Sequence, residues 1–134
     1  MKDIQLKADY KFEDKVEQVT DTIKKTYKVS HYGHGDGFHG KLMANGEIMN
    51  KHKFTVASPL IKGTKKPKYK LGTKLLLINP KNDKSVEVTV TDTGGFRRYG
   101  RELDLSYATF IELFGSVDRG VGKINIIVIE ENKL

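Results

Sequence analysis

A carboxyl group ends an alternating apolar pattern in the segment SVEVTVTDTGG, residues 85–95. The valines at every second position from Val86 to Val90 share the parity of Asp92, so on a regular strand all these side chains point to one face. A carboxyl at the rim of an apolar row is partly removed from water, which disfavours its charged form and suits a general acid. An aspartate that caps the DTGG turn would give the same pattern. Asp92 is therefore a candidate proton donor with a structural alternative.

Two further carboxyl groups lie beside predicted turns. Asp104 stands between two leucines in GRELDLS, residues 100–106, just before the helical pattern of SYATFIELFG. An aspartate or a serine there could equally cap the helix by accepting hydrogen bonds from its first amides. Glu47 ends the turn-rich segment ANGE, where its carboxylate would face either a cleft or water. From the residues alone both alternatives stay open.

Three of the four histidines are separated by glycines in HYGHGDGFHG, residues 31–40. A metal site here would draw on these histidines and Asp36, but their spacing matches no regular zinc motif and supplies no fourth strong ligand. We therefore expect no metal and no cofactor. Glycines allow close approach of the backbone, so we interpret the segment as a glycine-bent loop beside a binding groove.

Most of the chain has the pattern of an all-β domain. From about residue 29, β-prone runs alternate with turn residues; the runs are KFTVAS, KLLLIN, SVEVTVTD and KINIIVIE. Two segments have a helical period instead. In SYATFIELFG one helix face holds Tyr107, Phe110, Ile111 and Phe114, and Gly115 would end the helix.

The other helical stripe lies in residues 11–28 and consists of Phe12, Val16, Val19, Ile23 and Tyr27. We therefore divide the chain into a partly helical N-terminal extension, residues 1–28, and a mainly β domain, residues 29–134. A length of 134 residues is typical of one compact domain.

The charge of the chain restricts its partners. Lysine and arginine total 24 against 17 acidic residues, and the net charge of +7 favours anionic partners such as nucleic acid or cell-wall polymers. The segment KGTKKPKYK, residues 62–70, is either a solvated loop or a contact for a polyanion. The absence of cysteine excludes disulfides and thiolate metal sites. No run approaches the roughly 18 apolar residues of a membrane span, and no secretion signal is visible.

Five ordered blocks resemble the rare lipoprotein A-like family of double-psi β-barrel proteins. The blocks are YG…FHG…ANGE at 32–47, FTVAS at 54–58, LGTKLLLIN at 71–79, VTVTDTGGF at 88–96 and GRELDLS at 100–106. The last two also resemble segments of other peptidoglycan-cutting double-psi barrels, of expansins and of related endoglucanases. The resemblance covers about 29–130 and implies a mainly β fold, a six-stranded double-psi β-barrel with short helices and a surface groove for glycan.

In the bacterial enzymes, the resemblance implies a lytic transglycosylase that cuts the β-1,4 bond after N-acetylmuramic acid. One carboxylic acid protonates the leaving oxygen and then, as a carboxylate, takes the proton of the sugar's own C6 hydroxyl, which gives a 1,6-anhydro end. Matched block by block, the family's acid falls on Asp92 and its ANGE glutamate on Glu47. Asp104 matches the aspartate of the IDLS block. We expect Asp92 to act as acid and base, Glu47 to assist and Asp104 to orient or cap.

The resemblance also implies a set of substrate-binding residues: Tyr32, His39, Asn45, Ser58 and Arg98. Tyr32 and His39 would lie beside a sugar on the glycine-bent loop. Ser58 stands where the family often has histidine, and this departure favours an alternative function, a non-catalytic, expansin-like module that binds wall glycan.

The expected partners follow from this resemblance and from the charge. They are peptidoglycan glycan strands and, in addition, anionic wall polymers. Nucleic acid is disfavoured because the sequence lacks a recognisable aromatic platform motif. We expect a monomer that acts at the bacterial cell wall or in the periplasm, either as a phage lysin or as a secreted protein whose leader has been removed.

Overall fold

The computed structural model describes residues 25–96 and 100–132, which form a closed barrel of six strands with one α-helix. The elements are β1 (Tyr27–Tyr32), β2 (Thr55–Pro59), β3 (Lys74–Ile78), β4 (Ser85–Gly94), β5 (Leu103–Ser106), α1 (Tyr107–Phe114) and β6 (Val121–Glu130). Around the barrel the strands follow the order β1, β5, β2, β4, β3, β6. The predicted mainly β, six-stranded barrel is confirmed.

The barrel contains both parallel and antiparallel strand pairs. β1 runs parallel to β5, and β2 runs parallel to β4. The other four pairs, β1 with β6, β2 with β5, and β3 with both β4 and β6, are antiparallel. Because β2 and β5 are neighbours in the barrel, residues from β1, β5, β2 and β4 form one continuous surface.

The interior of the barrel holds the main apolar core. It consists of side chains that are at most 8 % exposed: Val29, Val56, Leu75, Leu77, Val86, Val88, Val90, Leu103, Leu105, Phe110, Leu113, Ile124 and Ile126. A second, smaller cluster lies apart from it and contains Tyr32, Met43, Met49, Ala57 and Phe96. Burial of these side chains is the main stabilising contribution to the fold.

The helix predicted in SYATFIELFG is confirmed. The Ser106 hydroxyl accepts from Thr109 N at 3.3 Å and so caps the N-terminus of α1. At the other end Gly115 adopts a left-handed φ of 78°, and its N–H donates to Ile111 O. Of the two candidate caps in the LDLS segment, serine therefore has this role, which leaves Asp104 available for another.

The N-terminal boundary differs in one respect from the sequence division. Tyr27, expected at the end of a helical stripe, is instead the first residue of β1. The rest of that stripe lies in residues 1–24, outside the described residues, so the division into an extension and a barrel stays a prediction. None of the helical segments in the described part of the chain is long and apolar enough to cross a membrane.

A bulge in β4 changes the direction of Asp92. Val56 pairs with Val90, but the next residue of β2, Ala57, pairs with Asp92, so Thr91 is an extra residue in β4. The valines from Val86 to Val90 face the barrel core, whereas Asp92 lies beside the second cluster. The prediction that Asp92 shares the face of the three valines is therefore wrong, because the alternation is interrupted at Thr91.

Candidate active site

Two aspartates lie on either side of one small residue on three neighbouring strands. Ala57 of β2 pairs with Asp104 of β5 on one side and with Asp92 of β4 on the other. Paired residues on neighbouring strands point to the same face, so both carboxyl groups stand over Ala57. At the usual strand spacing their Cα atoms are about 10 Å apart. Ser30 of β1 continues the row, since it pairs with Asp104.

Three donors hold the Asp92 carboxylate. Its Oδ1 accepts from Ala44 N at 3.0 Å and from Thr93 N at 2.9 Å. Its Oδ2 accepts from the Tyr32 hydroxyl at 3.2 Å. Burial, and next the charge of Asp92, raise the pKa of Tyr32, so this hydroxyl keeps its proton and remains a donor. Thus Asp92 accepts from one amide of its own DTGG segment, as the structural alternative predicted in part, and also anchors the ANGE turn and the Tyr32 ring.

Asp104 has a different environment. One hydroxyl, that of Ser30, donates to its Oδ1 at 2.6 Å, and Arg101 Nη1 donates to the same Ser30 oxygen at 2.8 Å. Burial raises the pKa of Asp104, while the Ser30 hydrogen bond and the Arg101 charge oppose this shift. Asp104 therefore retains a proton at higher pH than a carboxyl in water does.

The two carboxyl groups open into one groove of about 260 Å³. Its aromatic lining comes from Tyr32, Phe38 and Phe96. Phe38 is 55 % exposed, and its ring centroid lies 5.9 Å from that of Tyr32 in an edge-to-face contact. Carboxyl groups beside the exposed ring of Phe38 form a surface that suits a sugar ring, which presents hydroxyls at its edge and C–H groups on its faces.

The ANGE turn lies beside this groove, but its polar side chains bond to each other. Asn45 Nδ2 donates to Glu47 Oε1 at 2.8 Å, and Glu47 N donates to Asn45 Oδ1 at 2.9 Å. Both residues are exposed and neither lines the groove. The structure brings the Ala44 amide of this turn to Asp92, whereas the catalytic role of Glu47 and the binding role of Asn45 stay predictions.

The other predicted binding residues have separate surroundings. Ser58 is fully buried; its hydroxyl donates to Pro59 O at 2.9 Å and accepts from Tyr69 N at 2.9 Å. It therefore fastens the lysine-rich segment to β2 and does not line the groove. His39 Nδ1 accepts from Lys51 N at 3.2 Å on the exposed loop. Arg98 lies outside the described residues.

The histidines of the glycine-rich loop contact different groups. His31 packs on Phe110, and His34 stacks on Tyr107 with ring centroids 4.2 Å apart. Asp36 accepts from Gly33 N and Phe38 N and so closes the loop. Between residues 25 and 132, with 97–99 left aside, no three histidine or acidic side chains converge as a metal site would require. The expectation that the protein uses no metal or cofactor stays a prediction.

The groove residues Phe38 and Phe96 escaped the sequence analysis, and so did three residues around the two aspartates. Ser30 was missed because only the pairing of β1 with β5 brings it to Asp104, and Arg101 was missed because it donates to the Ser30 hydroxyl. Ala57 was missed because its position between two aspartates depends on the register of β2 with both neighbours. The signal that existed was the β-prone KFTVAS run, which indicated a strand but not its partners.

The fold and the groove define the chain as a double-psi β-barrel with two carboxyl groups over one strand residue. No protein-family model matches the chain. The probable endolytic peptidoglycan transglycosylase RlpA of Nostoc sp. is 31 % identical over 115 residues, which are 84 % of this chain and 28 % of that protein. The endolytic peptidoglycan transglycosylase RlpA of Vibrio cholerae is 38 % identical over 106 residues, 79 % of this chain and 36 % of that protein.

A solved structure agrees on the fold. A mutant expansin of Clavibacter michiganensis in complex with cellohexaose has a TM-score of 0.56 at 22 % identity, over 82 % of this chain and 53 % of that one. The chain is thus an RlpA-like double-psi β-barrel, and the resemblance predicted from five sequence blocks is confirmed. The chain spans about a third of the length of the two curated relatives.

Proposed function

We propose that this barrel cleaves peptidoglycan glycan strands as a lytic transglycosylase at the bacterial cell wall. The observation that carries the proposal is the pair Asp92 and Asp104, held over Ala57 in one groove with contrasting hydrogen-bond partners. The names of the relatives, endolytic peptidoglycan transglycosylases, support the same reaction class.

Asp104 is the proton donor in this proposal. Burial raises its pKa, and it has one direct hydroxyl donor, Ser30, whereas both oxygens of Asp92 already accept hydrogen bonds. Protonated Asp104 gives its proton to the glycosidic oxygen, and the C1–O bond breaks. The resulting carboxylate then takes the proton of the C6 hydroxyl as that oxygen bonds to C1, so the 1,6-anhydro ring closes and the acid is regenerated.

Asp92 has the complementary role. Cleavage of a glycosidic bond passes through an oxocarbenium-like transition state, in which positive charge develops near C1. A carboxylate fixed by Tyr32 and two backbone amides can stabilise that charge without reorganising. This role differs from the one expected from the sequence, where Asp92 was the acid and Asp104 the orienting residue.

A second candidate function, a glycan-binding module that does not cut, is favoured by one observation. Ser58 is buried beneath the lysine-rich segment, so β2 offers the groove no polar side chain at the position where the family often has histidine. An expansin-like module would use the same aromatic groove without proton transfer.

Mass spectrometry of purified peptidoglycan after digestion tests the function. We expect muropeptides with 1,6-anhydro ends, in equal yield with and without EDTA. Reducing ends would show hydrolysis instead of transglycosylation. Absence of any product, with the protein still sedimenting with the wall material, would contradict the enzyme and favour the binding module. Loss of product in EDTA and its return with zinc would contradict the expectation that the site uses no metal.

The pH profile of the reaction tests the assignment of Asp104. Arg101→Gln removes a positive charge that lowers the pKa of Asp104, so the acid stays protonated to higher pH. We therefore expect the alkaline limb of the rate profile to move to higher pH. Lys84→Gln, an equal change of charge at an exposed turn, serves as control. An alkaline limb that stays in place or moves down in Arg101→Gln would exclude Asp104 as the acid.

A further inference from the structure

A second concavity, of about 320 Å³, lies at the other end of β1 from the groove. Its lining includes Lys28, whereas Tyr32 lines the groove, so the two sites are separated by four residues of extended strand, about 13 Å. The first residues of β6, 121–123, and the turn after β3, residues 79–81, also line it. We call this concavity the basic cleft, because four of its lining residues are the cations Lys28, Lys81, Arg119 and Lys123 and none is acidic.

Two of these cations lie directly opposite each other. Lys28 of β1 pairs with Lys123 of β6 across an antiparallel ladder. Side chains at paired positions on one face are close neighbours, and like charges there destabilise a sheet. This arrangement costs stability in the free protein, and an anion bound between the two ammonium groups would remove that cost.

The described residues that line the cleft do not neutralise its positive charge. Across residues 25–96 and 100–132 the one ion pair joins Lys68 to Glu102, and neither of these residues lines the cleft. The two paired lysines are exposed, and so are Lys81 and Arg119. The four charges are therefore available to a ligand that carries several negative charges in a short length.

The floor of the cleft is apolar and its aromatic ring is covered. Phe114 packs so closely on Gly122 that any Cβ at this position would overlap the ring. The Arg119 guanidinium lies 5.3 Å from the centroid of the Phe114 ring. Nucleic-acid bases bind single-strand sites largely by stacking on exposed rings, so this covered ring disfavours nucleic acid. A flexible carbon skeleton with repeated phosphates fits the floor and the charges together.

We propose that the basic cleft binds a linear polymer of phosphodiester-linked polyols, an anionic polymer of the kind that accompanies peptidoglycan. Each repeat supplies one phosphate to a lysine or arginine and a short polyol to the apolar floor. The cleft and the groove share no lining residue, so binding at the cleft does not depend on the proposed cleavage reaction.

Isothermal titration calorimetry with soluble poly(glycerol phosphate) tests the proposal, using the double variant Lys28→Gln/Lys123→Gln. We expect at least about a 10-fold loss of affinity at low salt, and a slope of log K against log salt that is smaller by about two, one for each lost phosphate contact. The melting temperature should hold or rise, because the like-charge pair is removed. Lys65→Gln/Lys66→Gln removes the same charge from the exposed lysine-rich loop and should change the affinity by less than about 3-fold.

Three results would overturn the proposal. The first is unchanged affinity in Lys28→Gln/Lys123→Gln. The second is an equal loss of affinity in Lys65→Gln/Lys66→Gln, which would show a general effect of net charge. The third is tighter binding of single-stranded DNA than of poly(glycerol phosphate). Digestion of polymer-free peptidoglycan by the cleft variant is measured separately and should match the unaltered protein. A failure of the cleft proposal is therefore distinguishable from a failure of the proposed enzyme.

Discussion

Asp104→Asn should reduce the release of anhydro-muropeptides by at least about 100-fold while the protein folds normally. The factor is that of a typical general acid, and an amide cannot supply the proton. Asparagine keeps the shape of the side chain, and its carbonyl oxygen still accepts from the Ser30 hydroxyl. Muropeptide release is measured by mass spectrometry, after circular dichroism has shown that the variant is folded.

The same variant should gain stability, because the charged carboxyl is costly in the folded protein. Burial raises the pKa of Asp104 above its ordinary 3.8, so the folded state binds this proton more tightly than the unfolded state does. The stabilisation is fully present below the unfolded pKa and is lost as the pH rises through the folded pKa. Asparagine does not ionise, so the variant avoids this loss of stability. Its melting temperature should equal or exceed that of the unaltered protein at neutral pH. The difference should vanish below pH 3.8.

A matched control distinguishes the effect of changing Asp104 from the general effect of removing one negative charge. Asp118→Asn makes the same replacement at an exposed position before β6 and should leave cleavage unchanged. Muropeptide release by folded Asp104→Asn at the rate of the unaltered protein would contradict its role as the acid. A lower melting temperature at neutral pH would contradict the cost assigned to its burial.

The sequence predicted most of the secondary-structure elements, whereas the roles of the site residues stay predictions. The β-prone runs KFTVAS, KLLLIN, SVEVTVTD and KINIIVIE became β2, β3, β4 and β6, and the helix ends at Gly115 as its conformation requires. The blocks around Asp92 and Asp104 indicated both carboxyl groups. Their relation could not be predicted, because it depends on how Ala57 pairs with two strands that lie far from it in sequence.

Two features show why local patterns were insufficient. Alternation predicted Asp92 on the face of the valines, but the extra residue Thr91 reverses the face within the same strand. Ser58 resembled a groove residue by its place in the FTVAS block, yet the lysine-rich segment covers it through the Tyr69 amide. In both cases the deciding contact joins segments whose approach follows from closure of the barrel.

Asp92→Asn should also lower cleavage by at least about 100-fold, but for an electrostatic reason. The asparagine oxygen can still accept from Ala44 N and Thr93 N, and the Tyr32 hydroxyl can turn to accept from the new amide group. The fold and the groove therefore persist, while the negative charge that would stabilise the developing oxocarbenium ion is lost. Binding of the glycan should change far less than its cleavage.

Ser58→Ala is the control for the Asp92 experiment, since it removes a hydroxyl from the same sheet without touching the groove. It should cost far less activity than Asp92→Asn. Both variants are compared with the unaltered protein for folding by circular dichroism, for sedimentation with wall material, and for muropeptide release. Equal release by folded Asp92→Asn would exclude a catalytic role for this carboxylate. A variant that binds the wall poorly and melts early would instead show that Asp92 serves to anchor Ala44 and Tyr32 at the groove.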